Sequence, residues 1–217
     1  MTREEVRARI AELGVLPAVR TSSREDAVYA VNEVARGGIP IAELTLTIPG
    51  AVDLIAELRG QRPELVIGAG TVLTFEQAVE CLEAGAAFVS SPGLDLEIVE
   101  LAQRRNVAVI PGALTPTEVS MAWKAGVDYI KVFPCAPVGG PTYIKALKAP
   151  FPEARLIASG GVTQHNAEEF VLAGAAALGI GRELIPRAAV EHRQTERIHE
   201  LARRFLSMVH HARSRGQ

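Results

Sequence analysis

The chain has 217 residues, 48% hydrophobic and 22% charged, with a net charge of −2. This supports a packed core and excludes disorder; interspersed charges, with no basic stripe or cluster of stacking aromatics, argue against nucleic acid as a partner. No apolar run approaches the roughly 18 residues of a membrane span, and with a charged, helix-like start over 1–11 and only Cys81 and Cys135 as cysteines, a cytoplasmic protein without a disulfide framework is expected.

In chain order, strand-like runs fall near 15–20, 40–46, 65–69, 87–90, 107–110, 128–133, 155–158 and 176–180. Helical patterns separate them, around 24–37, 51–60, 74–84, 95–105, 116–125, 141–148, 164–173 and 191–212, with a further helix over 2–13. One phrase recurs, a helix followed by a glycine and a short apolar run. Its glycines, Gly38, Gly85, Gly126 and Gly174, are 47, 41 and 48 residues apart, and each suits a left-handed helix C-cap. Thr74, Thr115 and Thr163 are placed as N-caps. Eight strands alternating with helices predict a single (β/α)8 TIM barrel spanning 1–217, with an extra N-terminal helix. A doubly wound open sheet is the alternative, but it does not call for eight near-equal units.

The chemistry is concentrated in the sixth strand, Tyr129-Ile130-Lys131-Val132-Phe133. An ammonium in a buried strand is costly unless it is paired or sheds its proton, and a desolvated lysine amine is the group that forms Schiff bases with ketones. An edge strand with a solvated lysine is the other reading, but a closed barrel has no edges. Alternation puts Ile130 and Val132 on one face and Lys131 on the other; on the second strand it separates Glu43, Thr45 and Thr47 from Ala42, Leu44 and Leu46. The purely apolar faces should meet the helices, leaving Glu43 and Lys131 inside the barrel. That pair is either a structural ion pair or a general acid/base beside an amine nucleophile. Position near the C-terminal rim, where barrel active sites lie, favours the second. Of four lysines, Lys131 alone sits in a strand; Lys124, Lys145 and Lys148 fall on helical stretches and are expected to be solvated.

The remaining strand ends carry Arg20, Thr71, Pro92, Pro111-Gly112, Ser159-Gly160-Gly161 and Gly179 to Arg182. The turn from Ser159 to Thr163 leads toward a helix, and Gly179-Ile180-Gly181-Arg182 is expected to open a short one. Loops seven and eight of barrels commonly hold a phosphate on backbone N–H groups and a helix N-terminus, although such glycines can also serve tight turns alone. Gly68-Ala69-Gly70-Thr71-Val72-Leu73 begins like a dinucleotide fingerprint but lacks its last glycine. The five histidines all lie at or beyond residue 165, four of them toward the C-terminal helix on an expected solvated face, and no His/Cys/carboxylate set has metal-ligand spacing.

Taken together, Glu43-Leu44-Thr45-Leu46-Thr47, Gly68 to Val72, Ser91-Pro92-Gly93, Ile110-Pro111-Gly112, Ile130 to Pro134 and Ser159 to Val162 resemble, in order and spacing, the class I aldolases that cleave 2-keto-3-deoxy-6-phosphogluconate (KDPG) and 4-hydroxy-2-oxoglutarate (KHG). The resemblance implies a homotrimer of barrels that splits KDPG into pyruvate and glyceraldehyde 3-phosphate, with KHG cleavage to pyruvate and glyoxylate as a second reaction. It implies a Schiff base on Lys131 and acid/base work by Glu43. Thr71, Pro92 and Phe133 would line the pyruvyl pocket, Gly160-Gly161 and the Gly181-Arg182 turn would hold the phosphate, and Ser159 would bind substrate, with no metal or organic cofactor. Thr47 stands where many members carry a carboxylate-binding arginine, Ser159 where threonine is common, and Arg182 where a serine often touches phosphate. Arg20 is the expected substitute for the missing arginine. The partners implied are a keto acid and a sugar phosphate. A phosphate-binding barrel isomerase or synthase without imine chemistry, or a non-catalytic sugar-phosphate binder, are the alternatives.

Overall fold

The computed structural model describes residues 1–216. Its strands are β1 (Val15–Val19), β2 (Ile41–Thr45), β3 (Val66–Gly70), β4 (Phe88–Ser90), β5 (Ala108–Ile110), β6 (Gly112–Ala113), β7 (Ile130–Val132), β8 (Leu156–Ser159) and β9 (Ala177–Ile180). The helices are α1 (Arg3–Leu13), α2 (Arg24–Arg36), α3 (Ala51–Gln61), α4 (Phe75–Glu83), α5 (Leu96–Arg104), α6 (Pro116–Lys124), α7 (Gly140–Lys148), α8 (Ala167–Leu172), α9 (Arg187–Glu191) and α10 (Thr195–Arg215). The sheet runs β5-β4-β3-β2-β1-β9-β8-β7-β6, and its neighbours pair in parallel.

The two ends of that order are one strand. β5 and β6 are separated only by Pro111, which has no N–H to give a ladder. The Lys131 N–H donates to the Pro111 carbonyl at 2.9 Å, and Gly112 is in register with Lys131. The sheet therefore closes as an eight-stranded (β/α) barrel with its fifth strand broken at the rim, as the alternation of strands and helices predicts.

Local sequence signals account for most helix starts. Thr74 accepts from the Gln77 N–H, and Thr115 forms a capping box with Glu118 ahead of Pro116. Three expectations are corrected. Thr163 does not cap α8, whose N-cap is Asn166; its hydroxyl accepts from the His165 N–H instead. The helix expected over 191–212 begins only at Thr195, as α10, because the chain turns through 192–194, where Arg193 takes φ 50°; Glu191 instead ends α9. Residues 182–184 form a turn, and the next helix, α9, begins only at Arg187.

Helix α1 covers the N-terminal end of the barrel. Arg3 donates to both carboxylate oxygens of Asp128 at 2.8 and 2.9 Å, the Tyr129 hydroxyl donates to the Arg7 carbonyl at 2.9 Å, and Asp128 also accepts the Val109 N–H at 2.9 Å. The floor of β7 is thus anchored three residues from Lys131. Helix α10 packs along α8 and α2 through Ile198, Leu201, Ala202, Phe205 and Val209. His199, expected on a solvated face, is half-buried there and lies 2.9 Å from Glu33. Lys148 is likewise half-buried, its ammonium donating to the carbonyls of Pro152 and Ala154. No helix among the described residues is long and apolar enough to cross a membrane.

Candidate active site

Strand alternation delivers Glu43 from β2 and Lys131 from β7 into the barrel interior, as expected. They are 2% and 9% exposed, and Lys131 Nζ donates to Glu43 Oε1 at 3.1 Å and to Oε2 at 3.3 Å. A third bond runs from Nζ to Ser90 Oγ at 3.2 Å. Nζ also lies 5.9 Å from the centroid of the Phe133 ring, which faces the amine from one side.

The carboxylate has room because β3 contributes glycine. Gly68 is in register with Glu43, and a Cβ on Gly70 would stand 2.2 Å from Glu43 Oε1. The next residue, Thr71, holds φ 59°, unusual for a β-branched side chain, and such strain gathers at functional sites. Two residues along β2 from Glu43, Thr45 is fully buried, its hydroxyl 3.0 Å from the Val19 carbonyl and 2.7 Å from the Thr47 hydroxyl. Thr47 itself is exposed. Pro92 lies against the break in the fifth strand: a Cβ on Gly112 would meet the Pro92 carbonyl oxygen at 2.0 Å.

Phe133 also lines a cleft of about 360 Å³, together with Arg20, Ser159, Gly160, Gly161 and Arg182 among others. Gly160 and Gly161 take φ of 82° and 93°, and a Cβ on either would press on Phe133 or Ala136. The turn after β9 completes the wall with Gly181 and the exposed Arg182. The structure therefore brings Ser159, Gly160, Gly161, Gly181 and Arg182 into one concavity, as expected for an anion site, but on turns rather than on a helix N-terminus. Arg20 joins Arg182 in this cleft. No group of three or more His, Cys, Asp or Glu side chains converges among the described residues.

Sequence reasoning missed Ser90. Alternation along β4 nevertheless puts Phe88 and Ser90 on one face, and that face is inward: Phe88 fills the space a Gly68 side chain would occupy.

Residues 6–201 match the family model described as KDPG and KHG aldolase. The chain belongs to that family. As a member, this aldolase is a lyase, and its relatives span nearly its whole length. It is 31% identical over 209 residues to 2-dehydro-3-deoxy-phosphogluconate aldolase of Haemophilus influenzae, covering 96% of this chain and 98% of that protein. It is 33% identical over 189 residues to the KHG/KDPG aldolase of Escherichia coli K12, covering 87% and 89%. Among solved structures, a KDPG aldolase from Legionella pneumophila holding pyruvate as a covalent carbinolamine superposes with a TM-score of 0.84 at 32% identity, covering 91% of this chain and 96% of the Legionella chain.

Proposed function

We propose that this aldolase cleaves KDPG to pyruvate and glyceraldehyde 3-phosphate, and KHG to pyruvate and glyoxylate, through a Schiff base on Lys131. The observation that carries this reading is the buried Nζ of Lys131 held 3.1 Å from Glu43 in the mouth of the barrel. Passing a proton from Nζ to the Glu43 carboxylate frees the amine lone pair. The amine attacks the C2 ketone, and Glu43 returns its proton to the departing hydroxyl, so that loss of water from the carbinolamine leaves a protonated imine beside a Glu43 carboxylate. Electrons of the C3–C4 bond flow to the imine nitrogen while the Glu43 carboxylate takes the C4 hydroxyl proton, directly or through a water. The aldehyde leaves, the enamine is protonated at C3, and hydrolysis returns pyruvate and the free lysine. A cleavage that runs through an imine on the chain's own lysine asks for no cofactor.

Phe133, Thr71 and Pro92 are proposed to border the pyruvyl group, and the turns at Ser159-Gly160-Gly161 and Gly181-Arg182 to take the phosphate. Because Arg20 lines the same cleft as Arg182, we assign it to the anionic phosphate end, with Thr47 offering a hydroxyl nearer the strand-two rim. A homotrimer working in the cytoplasm belongs to the same proposal, on the strength of the family resemblance; light scattering tests the assembly. The decisive chemical test is borohydride reduction in the presence of pyruvate, followed by peptide mass analysis. A reduced pyruvyl adduct on Lys131 is expected, and a folded protein without one refutes the reading.

A further inference from the structure

Ser90 is fully buried on the inward face of β4, and its backbone is fixed on both sides. Its carbonyl accepts the Val72 N–H at 3.2 Å, and the residue is in register with Ile110 of β5. These contacts fix the Ser90 backbone close to the amine, which its hydroxyl reaches at 3.2 Å. The resting ammonium has three N–H groups, and they go to three acceptors: two oxygens of Glu43 and the oxygen of Ser90.

That count changes during turnover. Once Nζ is bonded to C2 in the protonated imine, a single N–H remains, and in a buried site it must keep an acceptor. If Glu43 held it, the carboxylate would offset the positive charge that draws electrons out of the C3–C4 bond, and it would be tied down when the C4 hydroxyl proton must be removed. A hydroxyl satisfies the same N–H while leaving the charge largely unneutralised. We propose that Ser90 directs the Lys131 amine and then retains the imine N–H, releasing Glu43 for proton transfer on the substrate. This rests on the imine reading above and divides the labour within it: Ser90 positions the nitrogen, and Glu43 moves protons.

The test compares wild type with Ser90→Ala, Ser90→Cys and Ser90→Thr, each checked for an unchanged melting transition. Two quantities are read: steady-state KDPG cleavage and the rate of pyruvate adduct trapping on Lys131 by borohydride. Ser90→Ala and Ser90→Cys, which remove or weaken the acceptor, are expected to lower kcat about five- to tenfold, the scale of one lost hydrogen bond. KM should stay within about twofold, and Ser90→Thr, which keeps the hydroxyl, should restore most of the rate. Adduct trapping should slow in step with kcat in the first two variants. Wild-type kcat in Ser90→Ala overturns the assignment, as does equal impairment of Ser90→Thr and Ser90→Ala, which would mean that packing alone matters. Should Ser90→Ala fail to fold, the near-isosteric Ser90→Cys against Ser90→Thr decides by the same criteria. Absence of the adduct in wild type would instead defeat the imine reading, and the role of Ser90 with it.

Discussion

Gly70→Ala is the sharpest probe of how Glu43 is placed. Gly70 lies in β3 without a left-handed φ, so alanine introduces no backbone penalty and the effect is steric alone. The added Cβ would stand 2.2 Å from Glu43 Oε1, 2.3 Å from Cγ and 2.4 Å from Cδ. Ordinary carbon contacts begin near 3.5 Å, so the carboxylate must retreat by about 1 Å, and its 3.1 Å bond to Lys131 is lost. A 1 Å misplacement of a reacting group costs about 10²-fold in rate, and overpacking costs about 1–3 kcal/mol of stability. Pyruvate release from KDPG, followed by a coupled dehydrogenase, should therefore show kcat down about 10²-fold in a protein that still folds. Lys131 should still yield a borohydride-reduced pyruvate adduct. A kcat within about threefold of wild type would show that Glu43 does not work from the position seen here.

Glu43→Gln keeps the shape but removes the base, and should slow cleavage by roughly 10²–10⁴-fold while imine formation remains detectable; undiminished turnover would remove Glu43 from the mechanism. Arg20→Ala should raise KM for KDPG while leaving pyruvate-dependent adduct formation nearly unchanged, because Arg20 shares the phosphate cleft; the reverse pattern would move it to the carboxylate. Asp128→Ala leaves the buried Val109 N–H without its acceptor, costing about 2 kcal/mol, or about 4–8 °C in Tm for a chain of this size, as calorimetry can measure. Burial pushes the Cys81 and Cys135 thiols up to about 11, so both stay protonated through pH 8. Thiol reagents should label neither until the protein is denatured, and rapid native labelling at pH 8 would contradict the burial.

The barrel was legible because its signals are periodic and local. Apolar runs alternate with capped helices, and the glycine phrase at Gly38, Gly85, Gly126 and Gly174 marks the units. The inward aim of Glu43 and Lys131 followed from strand parity, which needs no knowledge of neighbouring strands. What escaped depends on relations across the sheet. The clearance at Gly70 is visible only once β2 and β3 are in register, and the contact between Ser90 and Lys131 requires β4 and β7 to face each other across a closed interior. Arg20 could be placed at the rim by sequence, but its company with Arg182 comes from β1 lying beside β9. The break between α9 and α10 was hidden because the polar residues 192–194 continue a helical pattern without proline or glycine. His199 and Lys148 read as solvated because their partners, Glu33 and the carbonyls of Pro152 and Ala154, lie on other segments.

The seam at Pro111 divides the chain into two halves with different chemical equipment. Glu43, Gly70, Thr71, Ser90 and Pro92 precede it; Lys131, Phe133, the Ser159-Gly161 turn and Arg182 follow it. The proton-transfer side and the nucleophile side are therefore separate stretches of polypeptide, and they come face to face when the fifth strand, continuous through Pro111, ladders with β4 on one side and with β7 on the other. Turnover then reports that the ring is complete, and two fragments cut near this junction, each inert alone, would announce their reassembly by cleaving substrate.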